Sequence, residues 1–402
     1  MTHAIGNPTR VRPRLLATAC AVIAALLPLA AFAQDTASVP TAVLVPASPL
    51  ELPGNADSNS PAIWESVDGE PTLHVLTSVA GVPTLSTGRS LTRMELGEAV
   101  HFTTAPGNGV WMEAVVADED GTWYGYYHNE VPAVDLCGRS DRVMPRIGAA
   151  RSRDRGQTWD DLGIILEAPP NNYDCDTTNQ YFVGGVGDES VMLNDAGTDL
   201  YIFFSQYSKD PAAQGVAVAR LPWAERDAPV GRVTVWRDRV WLSATEMGHE
   251  GTDDSESPPP VTFLYPAGTA LVPVTQPWHA EGDASDAFWG PAVHWNTFLK
   301  QYVMLVNRAK DEQFHAAGVY VAFSPSLEDP TAWSTPELLL EGGAWYPQVM
   351  GLGPGGTDKQ AGARARFFLG GASHYEIEFR DDSGAKARTE GSGGFASVPP
   401  PR

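Results

Sequence analysis

Four carboxylates stand out because each lies at the head of a short run that turns apolar: Asp57, Glu113, Asp188 and Glu189. Acids so placed do general acid–base work when two of them face one bond. One is held protonated as donor, and the other is ionised as base or nucleophile. Glu113 lies between Trp111 and the apolar Ala114-Val-Val116. An apolar setting raises a carboxyl pKa, which suits Glu113 to the donor's part. Asp57 then serves as base or nucleophile, with Asp188 or Glu189 orienting or tuning it. Asp57 and Asp188 also have a plain explanation as turn caps. Asn59, Trp111, Trp289, His294, Trp345 and Tyr346 are the candidate ligand-binding groups beside them, although the aromatics serve equally well as packing. His294 reads more readily as a hydrogen-bonded core histidine. Trp64, Trp159 and Trp333 read as packing residues.

The elements that must position these groups are strands. Helical periodicity is almost absent. Short β-branched and aromatic runs, such as Thr72–Ser78, Trp123–His128, Asp199–Ser205, Gly215–Ala219, Gln301–Asn307 and Gly318–Phe323, are divided by Gly, Asp, Asn and Pro. Five times a strand opens polar or aromatic and turns apolar, over 57–64, 111–116, 187–193, 289–295 and 345–351. A more hydrophobic strand follows each. A five-fold repeat of this kind predicts an all-β fold, a five-bladed β-propeller spanning 51–381. The leading residues of the innermost strands then converge at one mouth. Glu246–Phe288 is a long acidic segment expected to form a rim over the blade 3 and blade 4 side of that mouth.

Ser152-Arg-Asp154-Arg-Gly156-Gln-Thr158-Trp159 matches the pattern S-x-D-x-G-x-T-W in full. It is a hairpin device, in which Ser and Asp bond the turn backbone, Gly takes positive φ and Trp packs beneath. A worn copy runs from Ser324 to Trp333. With the repeat and this motif in view, the chain resembles the five-bladed propeller glycoside hydrolases of the arabinanase/xylosidase and invertase types, with a sialidase-like Asp-box. The resemblance implies two carboxylates acting across a glycosidic bond of a poly- or oligosaccharide, with ring faces for sugars. It implies no required cofactor, with a structural Ca²⁺ in the central channel as an option in which His294 would share. The chain departs from the resemblance where Pro61 is displaced from Asp57 and where the third acid, Glu113, lies in blade 2. A non-catalytic carbohydrate-binding propeller is the alternative, and a lyase or phosphorylase on the same fold a third. A phosphorylase would need basic residues at the strand heads, which show none.

Arg10, Arg12 and Arg14, an apolar stretch from Leu15 to Leu29 and Ala31-Phe32-Ala33 read as a signal peptide over 1–33. The chain is therefore expected to be secreted or periplasmic, with no membrane attachment after cleavage. Its net charge of −22 opposes nucleic acid and anionic membrane as partners. A monomer is expected. Cys137 and Cys175 lie in loop-like sequence and are expected to pair in an oxidising compartment. Residues 34–50 read as a Pro-rich linker and 382–402 as a loose tail. No phosphate loop, zinc pattern or nucleophile elbow is present.

Overall fold

The computed structural model describes residues 39–104, 106–247, 262–278, 285–353 and 355–381. The expected signal peptide and C-terminal tail lie outside them. Among the described residues the strands form five mainly antiparallel sheets of four or five strands, taken up in chain order as the blades of a β-propeller, and one two-stranded sheet, Thr245–Met247 with Thr262–Leu264. The innermost strands are Ala62–Val67, Gly109–Ala117, Val186–Leu193, Phe288–Asn296 and Pro347–Gly351. Four of them fall on the sequence repeat. In blade 1 the repeat starts too early: Asp57–Pro61 precede the strand. Pro61 has no N–H for a ladder, and the amides of Asn59 and Ser60 bond side chains of other blades.

Residues 41–50, expected as part of a linker, are instead a strand. Thr41–Glu51 pairs with Ala372–Arg380 as the outermost strand of blade 5, with Thr41 opposite Arg380 and Val45 opposite Glu376. The ring is thus closed by the two ends of the domain. The run Thr-Ala-Val-Leu-Val supplies β-branched residues, and Ala42 and Leu44 pack on the blade 4–blade 5 core. The ladder shifts register between Pro46 and Leu50, where proline is tolerated on an edge strand.

The inner strands share one irregularity that matters for the site. Their ladders shift register between Met112 and Ala114, between Gly187 and Ser190, and between Trp289 and Ala292. Glu113, Asp188–Glu189 and Gly290–Pro291 are therefore the bulged residues. A bulge breaks the alternation of a strand and re-aims a side chain. Asp188 at its bulge and Tyr346, just ahead of the blade 5 inner strand, carry φ of 44° and 57°, a conformation with a steric cost for any residue but Gly.

The Ser152–Trp159 hairpin lies at the outer edge of blade 2, away from the strand heads. Ser152 Oγ accepts from the Gly156 amide at 2.8 Å, and Asp154 Oδ1 accepts from the Thr158 amide at 2.9 Å. Gly156 has φ 84°, and Trp159 is fully buried. Trp333 packs edge-on against Phe203. Cys137 and Cys175 form a disulfide.

Candidate active site

The centre of the propeller is a polar plug rather than an open tube. Asn59 Nδ2 donates to the carbonyls of Glu189 (3.2 Å) and Pro291 (3.1 Å), on blades 3 and 4. Gln348 of blade 5 accepts from the Ser60 amide at 2.6 Å and donates to the Ser60 carbonyl at 3.1 Å. Blade 1 is thus braced to blades 3, 4 and 5 through the turn that carries Asp57. Asn59, expected to bind ligand, is a cross-brace, with its side-chain amide taken up by the two carbonyls. Its Oδ1 has no partner among the described residues.

Glu113 and Glu189 project into this centre and are fully buried. Glu113 Oε2 accepts from the Asn59 amide at 2.8 Å, and Glu113 Oε1 and both Glu189 oxygens have no hydrogen-bond partner among the described residues. Burial pushes the Glu113 carboxyl well up, and the charges of Asp188 and Glu189 add to it. Glu189 is pushed up to about 8 by burial, against the opposing charge of His128. Burial thus favours the neutral form of both.

Asp188 stands above them, nearly sealed. Its carboxylate accepts from the phenol of Tyr207 and, at 3.3 Å, from that of Tyr346. Burial raises it to about 6 despite the nearby His128. His128 Nδ1 accepts from the Asp188 amide at 3.0 Å, and His128 Nε2 lies 3.3 Å from Glu130 Oε1. Burial opposes charge on this ring, but Asp188 and Glu130 outweigh it and push it up to about 9. The amide bond holds the ring as the Nε2–H tautomer. An added proton must enter at Nδ1 and displace that amide.

Two carboxyls of this group reach solvent. Asp57 is half-buried, and its pKa is raised by burial and by the Glu130 charge. Glu130 keeps 27% of its side chain exposed. The structure brings Asp57, Glu113, Asp188, Glu189 and Tyr346 together, adds Tyr207, and places beside them His128 and Glu130, which in the sequence end a blade 2 strand and read either as flanking the mouth or as lying on the surface. His128 and Glu130 sit on the second strand of blade 2, Trp123–Pro132, opposite Trp111 and Gly109. Their place at the end of that strand, near the loop that carries Cys137, was the sequence signal for them.

An aromatic wall rises over blades 3 to 5. Phe182 lies 4.2 Å from Tyr207, and Trp278 packs on Tyr207 at 4.9 Å and on Phe314 at 5.4 Å. Trp278 belongs to the segment expected as a rim. Trp345 is half-buried, donates to the Phe314 carbonyl at 2.7 Å and meets the exposed Tyr181 edge-on. Trp111 is half-buried against His128. Two expected binding residues offer no surface to the mouth. Trp289 is only 2% exposed, enclosed by Phe314, Trp345 and Tyr346, so it has no free face for a ring. His294 is buried against Phe379 of blade 5 and lowered to about 3 by burial and Lys359. Its place on the strand turns it between blades, away from the mouth. Among the described residues no three His, Cys, Asp or Glu side chains are grouped to hold a metal ion. Among them no helix is long and apolar enough to cross a membrane.

No family model and no curated protein matches the chain. Solved structures similar to it include an endo-arabinase from Bacteroides thetaiotaomicron, at 9% identity and TM-score 0.47, covering 82% of this chain and 96% of that one. An exo-β-1,3-galactanase from Phanerochaete chrysosporium is similar at 13% identity and TM-score 0.44, covering 84% and 63%. An α-L-arabinofuranosidase from Lactobacillus brevis is similar at 15% identity and TM-score 0.43, covering 81% and 90%.

Proposed function

We propose that this protein is an exported glycoside hydrolase acting at the mouth formed by the strand heads, with Asp57 and Glu130 as the reacting carboxyls. The observation that carries the proposal is the convergence of five carboxyls from blades 1 to 3 at one end of the channel, of which only these two meet solvent. Asp57, raised by burial and by its neighbour's charge, holds the proton. It passes that proton to the departing oxygen as the C–O bond breaks. Glu130, oriented by His128, takes a proton from attacking water or attacks the anomeric carbon itself. This exchanges the role first expected of Asp57. Glu113, expected as the donor, is sealed under Asn59 and is a positioning residue with Asp188 and Glu189. Trp111, Trp345 and Tyr181 offer partly exposed rings to a sugar. Export rests on the N-terminal sequence and suits the Cys137–Cys175 bridge.

Binding without cleavage is the second reading, favoured by the sealing of Asp188, Glu113 and Glu189. Reducing-end release from a panel of neutral polysaccharides, arabinan and β-1,3-galactan included, separates the two. D57N and E130Q are each expected to lose at least 100-fold in turnover while keeping their thermal stability, in line with typical acid–base contributions of about 10²–10⁴-fold. Full turnover in both variants sinks the catalytic assignment. Wild-type binding with no turnover on any polysaccharide establishes the second reading.

A further inference from the structure

The inner strands also have far ends, and these enclose a second concavity. Ala117, Leu193 and Trp295 lie at or next to the ends of their strands there, and with Trp64, Thr357 and Gln360 they line a cavity of about 480 Å³. That is the size of a small-molecule site, and it has the usual makeup of apolar walls with a few polar groups. We propose that this cavity binds one or two rings of a neutral glycan, at the face opposite the mouth.

Three observations carry this. First, Trp64 and Trp295 belong to blades 1 and 4, two places apart in the ring of five, so they stand across the funnel from each other. Second, both rings are held in place before any ligand arrives. Trp64 Nε1 donates to the Gly356 carbonyl at 2.9 Å. Trp295 packs on Tyr302 at 4.8 Å, and the Tyr302 phenol donates to Asp195 at 3.2 Å. Rings fixed in advance lose little entropy on stacking. Trp64, expected as packing alone, packs on the core with part of its surface and lines the cavity with the rest. Third, the polar groups favour hydroxyls over an anion. Lys359 Nζ donates to Ser190 Oγ at 3.1 Å and pairs with Asp358 at 3.2 Å. Its charge is matched, and the net charge of −22 opposes an anionic ligand. Ring faces combined with an amide, a hydroxyl and a carboxylate are what a neutral sugar uses. The class of ligand is shared with the proposed function, but the site does not depend on catalysis.

Isothermal titration calorimetry with neutral hexasaccharides of arabinose, xylose, galactose and glucose tests the proposal on the full chain. The proteins compared are wild type, the D57N/E130Q double variant, W295A and A117R. Ala117 is exposed at the rim, so arginine there fills the cavity without emptying the core. At least one hexasaccharide is expected to bind the double variant as it binds wild type. It should lose tenfold or more in both W295A and A117R, with turnover at the mouth unchanged. The proposal is overturned if no hexasaccharide binds wild type, or if binding survives W295A and A117R. Binding that depends on Trp295 in a protein without turnover upholds this site while the catalytic assignment fails.

Discussion

The amide of Asn59, ahead of the first inner strand, donates to Glu113 Oε2 on the second at 2.8 Å, joining residues 54 apart in sequence. The bond satisfies one oxygen of a fully buried carboxyl, and the other has no partner among the described residues. Burial of a group so placed favours its neutral form. E113Q preserves the shape and the acceptor, so its stability at pH 6 should stay within about 1 kcal/mol of wild type. E113A orphans the Asn59 amide and opens a cavity, with an expected cost of about 2–4 kcal/mol. Urea denaturation reads both; equal losses in the two variants refute the neutral-acid assignment.

Glu189 ties stability to pH. Its folded pKa is raised from 4.5 to about 8, so between those values the native state binds more protons than the unfolded chain. Stability is then full below about pH 4.5 and is lost as pH climbs toward 8. Asp188 adds a smaller loss between 3.8 and about 6. The melting temperature should fall from pH 5 to pH 8, by roughly 2–4 °C for each kcal/mol lost. E189Q should flatten the slope, and a variant as steep as wild type would show that Glu189 is not its source.

Tyr346 tunes Asp188 from two blades away. Its phenol bonds the charged carboxylate, so Y346F should move the Asp188 midpoint upward, followed by carboxyl ¹³C NMR. The lost bond should cost about 1–2 kcal/mol. A midpoint that stays or falls would assign Tyr346 to packing alone.

The Cys137–Cys175 bridge closes a 38-residue separation next to the segment that carries Tyr181 and Phe182. Closing a loop of that length contributes about 3–4 kcal/mol. C137S/C175S should melt lower than wild type by that amount. It should also raise KM more than it lowers kcat, because the aromatic wall loosens while the carboxyls stay in place. Identical melts with and without dithiothreitol in wild type would contradict this.

Removal of residues 39–50 exposes the edge of blade 5 and takes Ala42 and Leu44 from its core. A protein starting at Glu51, where the sequence alone placed the domain boundary, is expected to be insoluble or molten. One starting at Val39 should give a cooperative melt. Cooperative unfolding of the shorter protein would make the closing strand dispensable.

The strand pattern, the five-fold repeat and four of the site carboxyls are readable in the chain because alternation, turn residues and strand heads are local features. Local sequence carries no such sign for three other matters. The strand Thr41–Glu51 resembles a proline-rich linker until Ala372–Arg380 lies beside it, since an edge strand is defined by its partner. Trp289 and Trp345 look alike as strand heads, yet packing buries the first and leaves the second half-open. Glu130 looks like an ordinary strand-end acid until the bulges at Glu113 and Asp188 bring His128 between it and the buried carboxyls. Which acids are sealed and which meet solvent is set by contacts between blades, and those exist only once the ring has closed.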